Sequence, residues 1–383
     1  MIKSDLKFIF STFIIWRIIL FIFLLVGVVL IPLQRNFLGG GVSNYLSNPW
    51  FWSWINFDGE HYLSIAQNGY QPLTYFFFPV YPLFVKLIAS FINKSIFGFA
   101  FVGLLVTHLA FLIGLIGLIR LIKLDFKKDI VKTTIILLLV FPTSFYFASF
   151  YTESLFFALS VWSFYFARKG KWIYSGLIGA IASATRLVGI ALIPALVLEA
   201  WIQWKKNKNS LNLSTVLGLI LISAGLIIYM YYLNVKTGDP LEFFHSVSIF
   251  GQQRSSEIVL LPQVFYRYIF KVLPNVNYDY FPVVFTTILE IFTALVFLGL
   301  SIFAFFKLRL SYALYLAVGY LIPTLSGSFS SLPRYALILF PAFIISGVYF
   351  SKKSRFTRIT VYSILLILLG IACALFTRGY WVS

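Results

Sequence analysis

Long apolar runs separated by short basic clusters limit what this chain can fold into more than any other feature of its sequence. The first run, residues 8–32, is about 25 residues long, enough for a helix to cross a hydrocarbon core of roughly 30 Å. It is too long for a signal-peptide core and has no small-residue cleavage site, so we expect a retained membrane span. Only 11% of the 383 residues are charged, whereas soluble domains carry about 25%. Most of the surface must therefore face lipid.

Further apolar runs predict additional spans, and together they indicate an all-α polytopic membrane protein with about eleven transmembrane helices. We detect no soluble domain and no strong internal repeat, so residues 1–383 are interpreted as one integral membrane domain. The additional runs lie at 98–120, 131–149, 151–168, 172–189, 190–204, 212–233, 282–306, 310–325, 334–350 and 357–377.

The basic clusters predict how the helices are oriented. They lie near residues 3–7, 120–132, 168–171, 205–208, 307–309 and 352–358. All fall on the same side if residues 76–92, which contain Pro79, Pro82 and Lys86, form an interfacial helix instead of a span. The positive-inside rule then predicts a cytoplasmic N-terminus, an external C-terminus and two long external loops, 33–97 and 234–281. Cytoplasmic loops beside anionic lipid explain the net charge of +18 without a nucleic-acid partner.

Four ionisable residues are predicted to meet in the outer half of the membrane. Asp58 lies in the first external loop, and Glu153 and Arg334 lie near the outer starts of two spans. Arg186 follows about 14 residues of a helix that begins inside, which places it roughly 21 Å along the axis. Charged groups at such depths are costly, so each is a functional candidate. A buried ion pair, for instance between Arg186 and Glu153, is the structural alternative.

The segment after Phe57 predicts a short helix that begins near Asp58 and ends at Gly69. Helical spacing places Asp58 and His61 on one face and points Glu60 elsewhere. Asp58 either carries chemistry or caps this helix. His61 either contacts a substrate, bonds to Asp58 or is a packed interfacial histidine.

Several short segments resemble those of a known family, in the same order along the chain. Residues 57–62 read Phe-Asp-Gly-Glu-His-Tyr, followed by Ile-Ala at 65–66, Gly-Tyr at 69–70, Phe-Phe-Pro-Val-Tyr-Pro at 77–82, Tyr-Thr-Glu-Ser-Leu-Phe at 151–156, Ala-Thr-Arg-Leu-Val-Gly at 184–189 and Pro-Arg-Tyr at 333–335. Together they resemble the PIG-V family, the glycosylphosphatidylinositol mannosyltransferase II proteins and their prokaryotic relatives, within the GT-C superfamily. Phe57 stands in place of that family's tryptophan, and Leu187-Val188 in place of its Ser-Asn.

The resemblance implies a GT-C-type helical bundle that takes a hexose, with mannose first, from a polyprenyl- or dolichyl-phosphate donor. The acceptor would be a glycolipid, an envelope glycan or a protein, on the non-cytoplasmic face. An inverting single displacement with Asp58 as the general base is also implied, and a carboxylate suits that role. Arg186 and Arg334 are the candidates for the donor phosphate, because a guanidinium matches phosphate geometry.

Other residues are secondary candidates. Glu153 either binds sugar hydroxyls or orients Arg186. The resemblance also makes substrate-binding candidates of Glu60, His61 and Tyr335. The second external loop contributes His245, Arg254 and Arg267, which could contact the acceptor or the donor phosphate, although no motif supports them.

The sequence shows no metal signature, since its three histidines are scattered and its acids do not cluster. We therefore expect neither a metal nor another cofactor. A membrane transporter or lipid-linked sugar flippase is the main alternative function, and a non-catalytic scaffold is the second. Transporters usually show broken helices and repeat symmetry, for which the sequence gives no sign. Short loops and the lack of a recognisable retrieval signal favour a prokaryotic plasma membrane over the endoplasmic reticulum.

Overall fold

The computed structural model describes residues 3–246, 254–255 and 257–382. Within these ranges the regular structure is entirely helical. Each of the long apolar helices coincides with a predicted span, so the prediction of an all-helical protein with membrane-spanning helices is confirmed. The helices long and apolar enough to cross a membrane are Ser4–Leu30, Ile96–Ile122, Leu187–Lys206, Leu213–Thr237, Phe281–Lys307 and Arg355–Thr377.

The other five predicted spans correspond to shorter helices. The longest of them has 16 residues, which gives a rise of about 24 Å, less than the roughly 30 Å of a hydrocarbon core. The total of about eleven spans therefore stays a prediction. The shorter helices are Lys128–Leu139, Glu153–Arg168, Trp172–Ser183, Leu310–Thr324 and the consecutive pair Leu332–Leu337 and Phe340–Phe350.

Several of these helices end in irregular or 3₁₀-helical segments that contact one another. The hydroxyl of Thr143 donates to the carbonyl oxygen of Pro333 at 2.8 Å, and the guanidinium of Arg186 donates to the hydroxyl of Thr152 at 2.8 Å. Irregular backbone inside a membrane is tolerated where it is buried in protein or lines a cavity. The apolar pattern did not predict these breaks, and they indicate where a cavity lies.

The first predicted external loop contains four α-helices: Gly41–Ser47, Pro49–Trp52, Asp58–Asn68 and Val80–Ile92. The predicted helix after Phe57 is confirmed, since it begins at Asp58 and ends before Gly69, whose φ of 82° suits glycine. Val80–Ile92 has only 13 residues and exposes Leu87 and Phe91. It is too short to span a membrane, and its interfacial position stays a prediction.

Asn56 fixes the loop that carries Asp58. Its buried side chain accepts a hydrogen bond from the N–H of Gly39 at 2.8 Å and donates to the carbonyl oxygen of Phe376 at 2.9 Å. Its own carbonyl oxygen accepts from the Tyr151 hydroxyl at 2.8 Å. The start of the Asp58 helix is therefore tied to a segment that lies 320 residues away in sequence.

The second predicted external loop is reduced because the helix Leu213–Thr237 extends into it. It contains the short helices Glu242–His245 and Leu261–Arg267, then a π-helical turn, Tyr268–Val272, and a 3₁₀ turn, Leu273–Asn275. The stretch before Leu261 lies against the break that follows Thr324. There the N–H groups of Ser255 and Val259 donate to the carbonyl oxygens of Ser326 and Leu325 at 2.8 and 2.9 Å.

Charged residues from the predicted cytoplasmic segments meet at one end of the bundle, which agrees with their predicted grouping on one side. The helix Glu153–Arg168 starts at the opposite end, so Glu153 lies about 22 Å from this cluster along the helix axis. The ion pairs of the cluster include Lys123–Asp5, Arg168–Asp125 and Arg309–Glu199, each with a shortest N–O distance of 2.6 Å. Arg168 also lies 3.6 Å from Glu199.

The helices Trp172–Ser183 and Leu213–Thr237 approach so closely that glycine is required where they touch. A β-carbon added to Gly225 would overlap the carbonyl oxygen of Ala180, and one added to Gly218 would overlap that of Trp172. Small residues allow such close contact between helix backbones in membranes.

We expect Gly225→Val to destabilise the protein by roughly 1–3 kcal/mol, because the new side chain must force the two helices apart. The matched control is Gly299→Val, since Gly299 lies in the helix Phe281–Lys307 with open space around its would-be β-carbon. The measurement is the apparent melting temperature of detergent-purified variants. Equal melting temperatures for the two variants would contradict the described packing.

Candidate functional site

The helix breaks and both predicted external loops enclose a cavity of about 270 Å³. Its wall has a polar part and an apolar part. The polar part includes Asp58, Tyr62, Glu153, Arg186, Arg254, Arg334 and Tyr335. The apolar part includes Phe76, Phe78, Leu187, Val188, Phe243, Phe244, Ile258, Ile322 and Pro323.

Asp58 is held by Arg334 at the cavity wall. The Nη1 atom of Arg334 lies 2.5 Å from the Oδ2 atom of Asp58. The cap position of the helix is occupied by Phe57, which makes no capping hydrogen bond through its side chain, and Asp58 is the first helical residue. The Asp58 side chain keeps 19% of its surface exposed, whereas Arg334 keeps 5%. A molecule in the cavity can therefore reach the carboxylate.

A strained turn sets the position of Arg334. Ser331 adopts a left-handed conformation with φ of 62°, and Pro333 follows in the first turn of the helix Leu332–Leu337. A non-glycine residue seldom adopts positive φ, and such residues cluster at functional sites. Proline in the first helical turn costs no hydrogen bond and is pre-set for the helix. The local sequence Ser-Leu-Pro-Arg thus begins a short helix and places its arginine within the protein.

Glu153 connects the two arginines. It is fully buried, and its Oε1 atom lies 2.5 Å from Nη1 of Arg186 and 3.5 Å from Nε of Arg334. The longer distance is an electrostatic contact without a hydrogen bond. The Oε2 atom is buried, lies on a residue of the cavity wall and has no hydrogen-bond partner within the described ranges. The geometry thus suits both predicted roles of Glu153, which are orienting Arg186 and accepting a hydrogen bond from a sugar hydroxyl.

Arg186 lies in a helix break and not inside a helix. The predicted span 172–189 ends as an α-helix at Ser183, and Arg186 has extended backbone with φ of −157° and ψ of 145°. The break lets the side chain leave the helix surface and reach the buried Glu153. The apolar pattern did not predict this break, because the apolar run continues through residues 187–192.

The guanidinium groups of three arginines lie close to the ring of Tyr335. The guanidinium carbons of Arg186, Arg254 and Arg334 lie 5.0, 5.2 and 5.4 Å from its centroid. An aromatic face attracts cations, and this attraction is stronger where water is excluded. The ring therefore offsets part of the repulsion between like charges that are brought close together.

The structure does not bring Glu60 and His61 to the cavity wall. The imidazole of His61 stacks on Phe77 with ring centroids 4.9 Å apart, and burial lowers its pKa, so it is largely neutral at pH 7. Burial raises the pKa of the Glu60 carboxyl to about 7, and a hydrogen bond with the backbone of Gly41 opposes that rise. Their predicted contacts with substrate stay predictions.

The charge of the cavity suits an anion. Three arginines face two carboxylates across the polar part of the wall. Within the described ranges, histidine, cysteine and acidic residues form no group of three or more that could hold a metal ion. The predicted lack of a metal requirement stays a prediction.

Sequence reasoning found part of this wall. It grouped Asp58, Glu153, Arg186 and Arg334, and the structure brings these four together. Arg254 carried no motif and was one of several open candidates. Of the apolar part, Phe78, Leu187 and Val188 lie in segments that resemble the family. The rest was missed, because the whole chain is rich in apolar residues and nothing in the pattern distinguishes those that face a cavity.

The family comparison agrees with this geometry. A family model described as Mannosyltransferase (PIG-V) matches residues 9–240, which is more than half of the chain. The matched region contains Asp58, Glu153 and Arg186, whereas Arg254 and Arg334 follow it. Among curated proteins and solved structures, none matches the chain. On the family match, the protein belongs to the PIG-V mannosyltransferase family.

Proposed function

We propose that this membrane mannosyltransferase takes its sugar from a polyprenyl- or dolichyl-phosphate donor and transfers it to a hydroxyl of a glycolipid or glycan. Family membership supports mannose as the sugar. The observation that carries the proposal is the cavity, where a partly exposed carboxylate meets arginines beside an apolar wall.

The two-part wall suits a donor that combines sugar, phosphate and lipid in one molecule. Guanidinium groups bind phosphate oxygens with matching geometry. The aromatic and aliphatic residues of the other part favour an isoprenoid chain, because that contact removes apolar surface from water. A sugar on a water-soluble carrier would leave the apolar wall without a partner.

The proposed reaction is a single displacement. Asp58 accepts the proton of the acceptor hydroxyl, and the acceptor oxygen attacks C1 of the sugar. The bond between C1 and the phosphate oxygen breaks, and its electron pair leaves with the prenyl phosphate. A single attack inverts the configuration at C1, so a β-linked donor gives an α-linked product.

Arg334 prepares Asp58 for this role. Its ion pair engages Oδ2 of the carboxylate, which leaves Oδ1 to meet the acceptor hydroxyl. A carboxylate that is already fixed in position loses little freedom when the acceptor binds. Glu153 in turn holds Arg186 and lies close to Arg334, so both arginines keep their places before substrate arrives.

The site is proposed to face the non-cytoplasmic side of a prokaryotic plasma membrane, in a bundle of about eleven spans. The charged cluster that contains Arg168 and Arg309 occupies the opposite end of the bundle from Glu153. Basic clusters mark the cytoplasmic side by the positive-inside rule. The cavity then opens where a donor that has been moved to the outer leaflet would reach it.

We expect Asp58→Asn to lower transfer by at least about 100-fold, because the amide cannot accept the acceptor's proton. The assay mixes purified protein with radiolabelled polyprenyl-phosphate mannose and a lipid or glycan extract of the source cells. The control is Asp279→Asn, since Asp279 is an exposed acid of the second loop. Both variants should purify as folded protein. More than a tenth of wild-type activity in Asp58→Asn would contradict its role as base.

Because Glu153 and Arg186 form an ion pair, we expect substitutions at these two positions to change the free energy of unfolding non-additively. Arg186→Gln alone removes the closest charged partner of the buried Glu153 carboxylate, which we expect to cost roughly 3–5 kcal/mol. Adding Glu153→Gln should recover roughly 1–3 kcal/mol of that loss. Melting temperatures of the two single variants and the double variant give the coupling. Additive effects would show that Glu153 does not hold Arg186.

The proposed orientation can be tested by cysteine labelling, because Cys373 is buried and is the only cysteine. In a Cys373→Ser background, Asn68→Cys and Lys169→Cys place thiols at exposed positions at opposite ends of the bundle. A membrane-impermeant maleimide should label Asn68→Cys in intact cells. It should label Lys169→Cys only after the cells have been permeabilised. The reverse pattern would put the cavity on the cytoplasmic side.

A further inference from the structure

The second external loop adds one more cation to the cavity than the acids there can pair with. Arg254 is partly buried on the cavity wall. Its Nη2 atom donates to the carbonyl oxygen of Ser330 at 2.6 Å, and its guanidinium lies 5.2 Å from the centroid of the Tyr335 ring. These contacts fix the side chain beside Arg186 and Arg334, on the part of the wall that belongs to the loop.

Arg254 differs from the other two arginines in lacking an acidic partner. Arg186 is paired with Glu153, and Arg334 with Asp58. Across the described ranges, no carboxylate oxygen of an aspartate or glutamate lies within 4 Å of the Arg254 guanidinium. The residues outside those ranges include no aspartate or glutamate. No aspartate or glutamate side chain therefore forms an ion pair with Arg254 in this arrangement.

The acid Glu290 interacts with Arg254 electrostatically, but its carboxylate oxygens lie more than 4 Å from the Arg254 guanidinium and form no ion pair with it. It lies in the helix Phe281–Lys307 and accepts a hydrogen bond from the Tyr268 hydroxyl at 3.0 Å. Glu257, three residues after Arg254, is exposed. The cavity wall includes three arginines and two carboxylates, and Arg254 is the arginine that forms no ion pair with either carboxylate.

We propose that Arg254 is the residue that binds the phosphate of the lipid-linked donor, whereas Arg186 and Arg334 position Glu153 and Asp58. This inference rests on the proposed function. It assigns to Arg254 the role that the family resemblance suggests for the other two arginines. Their charges are already balanced by carboxylates, and a phosphate bound to Arg334 would compete with the contact that fixes Asp58.

The position of Arg254 fits the order of groups in such a donor. Phe243 and Phe244 of the same loop, with Ile258, belong to the apolar wall, and Asp58 lies on the polar wall. While the phosphate contacts Arg254, the isoprenoid chain and the sugar would contact the apolar and polar parts of the same cavity wall. The donor phosphate is a diester with one negative charge, and its departure as a monoester adds negative charge. Arg254 therefore interacts more strongly with the transition state than with the bound donor.

A binding experiment tests the phosphate contact apart from catalysis. Farnesyl phosphate is titrated into detergent-purified wild type, Arg254→Gln and Lys271→Gln by calorimetry. Lys271 is exposed in the same loop, so its variant removes one positive charge away from the cavity. We expect binding to weaken by about 10- to 100-fold in Arg254→Gln, because a charge-assisted contact is lost, and by less than about twofold in Lys271→Gln. Farnesol should bind wild type and Arg254→Gln alike.

A kinetic experiment separates a phosphate ligand from a residue that only supports the loop. In Arg254→Gln the KM for the lipid-phosphate donor should rise and kcat should fall, while the KM for the acceptor stays unchanged. Arg254→Lys keeps the charge and should bind the donor more tightly than Arg254→Gln does, although less tightly than wild type. Equal losses for donor and acceptor, or no rescue by lysine, would indicate a structural role and overturn the inference.

The outcomes distinguish the inference from the proposed function. If wild type binds farnesyl phosphate and transfers mannose, but Arg254→Gln binds as tightly, the inference is wrong and the proposed function stands. If wild type neither binds the phosphate nor transfers from any lipid carrier, the proposed function fails and the inference fails with it.

Discussion

The contact between Arg334 and Asp58 joins residues that are 276 positions apart in sequence. A buried charge without a partner costs several kcal/mol, so this ion pair and the neighbouring pair of Glu153 and Arg186 must form together. These charges therefore connect three elements: the first predicted external loop, the start of the helix Glu153–Arg168 and the short helix that carries Arg334. The contact between Arg334 and Asp58 links the loop to the helical bundle at this end.

The broken helices follow from the same requirement. A continuous helix would keep its side chains at fixed angles on its surface, and Arg186 could not turn toward Glu153. Non-helical backbone inside a membrane needs partners for its polar groups, and the breaks provide them for one another, as in the hydrogen bond between Thr143 and Pro333. Close glycine packing at Gly225 gives the remaining helices a rigid framework around the cavity. The cavity is thus lined in part by non-helical backbone, and the packed helices around it keep that backbone in place.

The sequence predicted those features that depend on local composition. Long apolar segments can be recognised by their length. Because successive spans cross a membrane in alternating directions, the predicted topology was enough to group Asp58, Glu153, Arg186 and Arg334. The break at Arg186 could not be predicted, because residues 187–192 continue the apolar run and the acid that Arg186 contacts lies 33 positions earlier. Arg254 was not distinguished from other loop cations, because its place on the cavity wall and its lack of an ion pair within 4 Å in the described part of the chain are visible only in three-dimensional distances.

The hydrogen bonds from Asn56 to Phe376 and from Tyr45 to Thr377 have a consequence for biosynthesis. The ribosome makes the first external loop early, whereas the carbonyl groups that anchor it are added 320 and 332 residues later. At roughly 5–20 residues per second, the loop waits on the order of 20 to 60 seconds in the translocation machinery or the bilayer before it can be anchored. The loop that carries Asp58 therefore cannot reach its anchored position until residues 376 and 377 have been made.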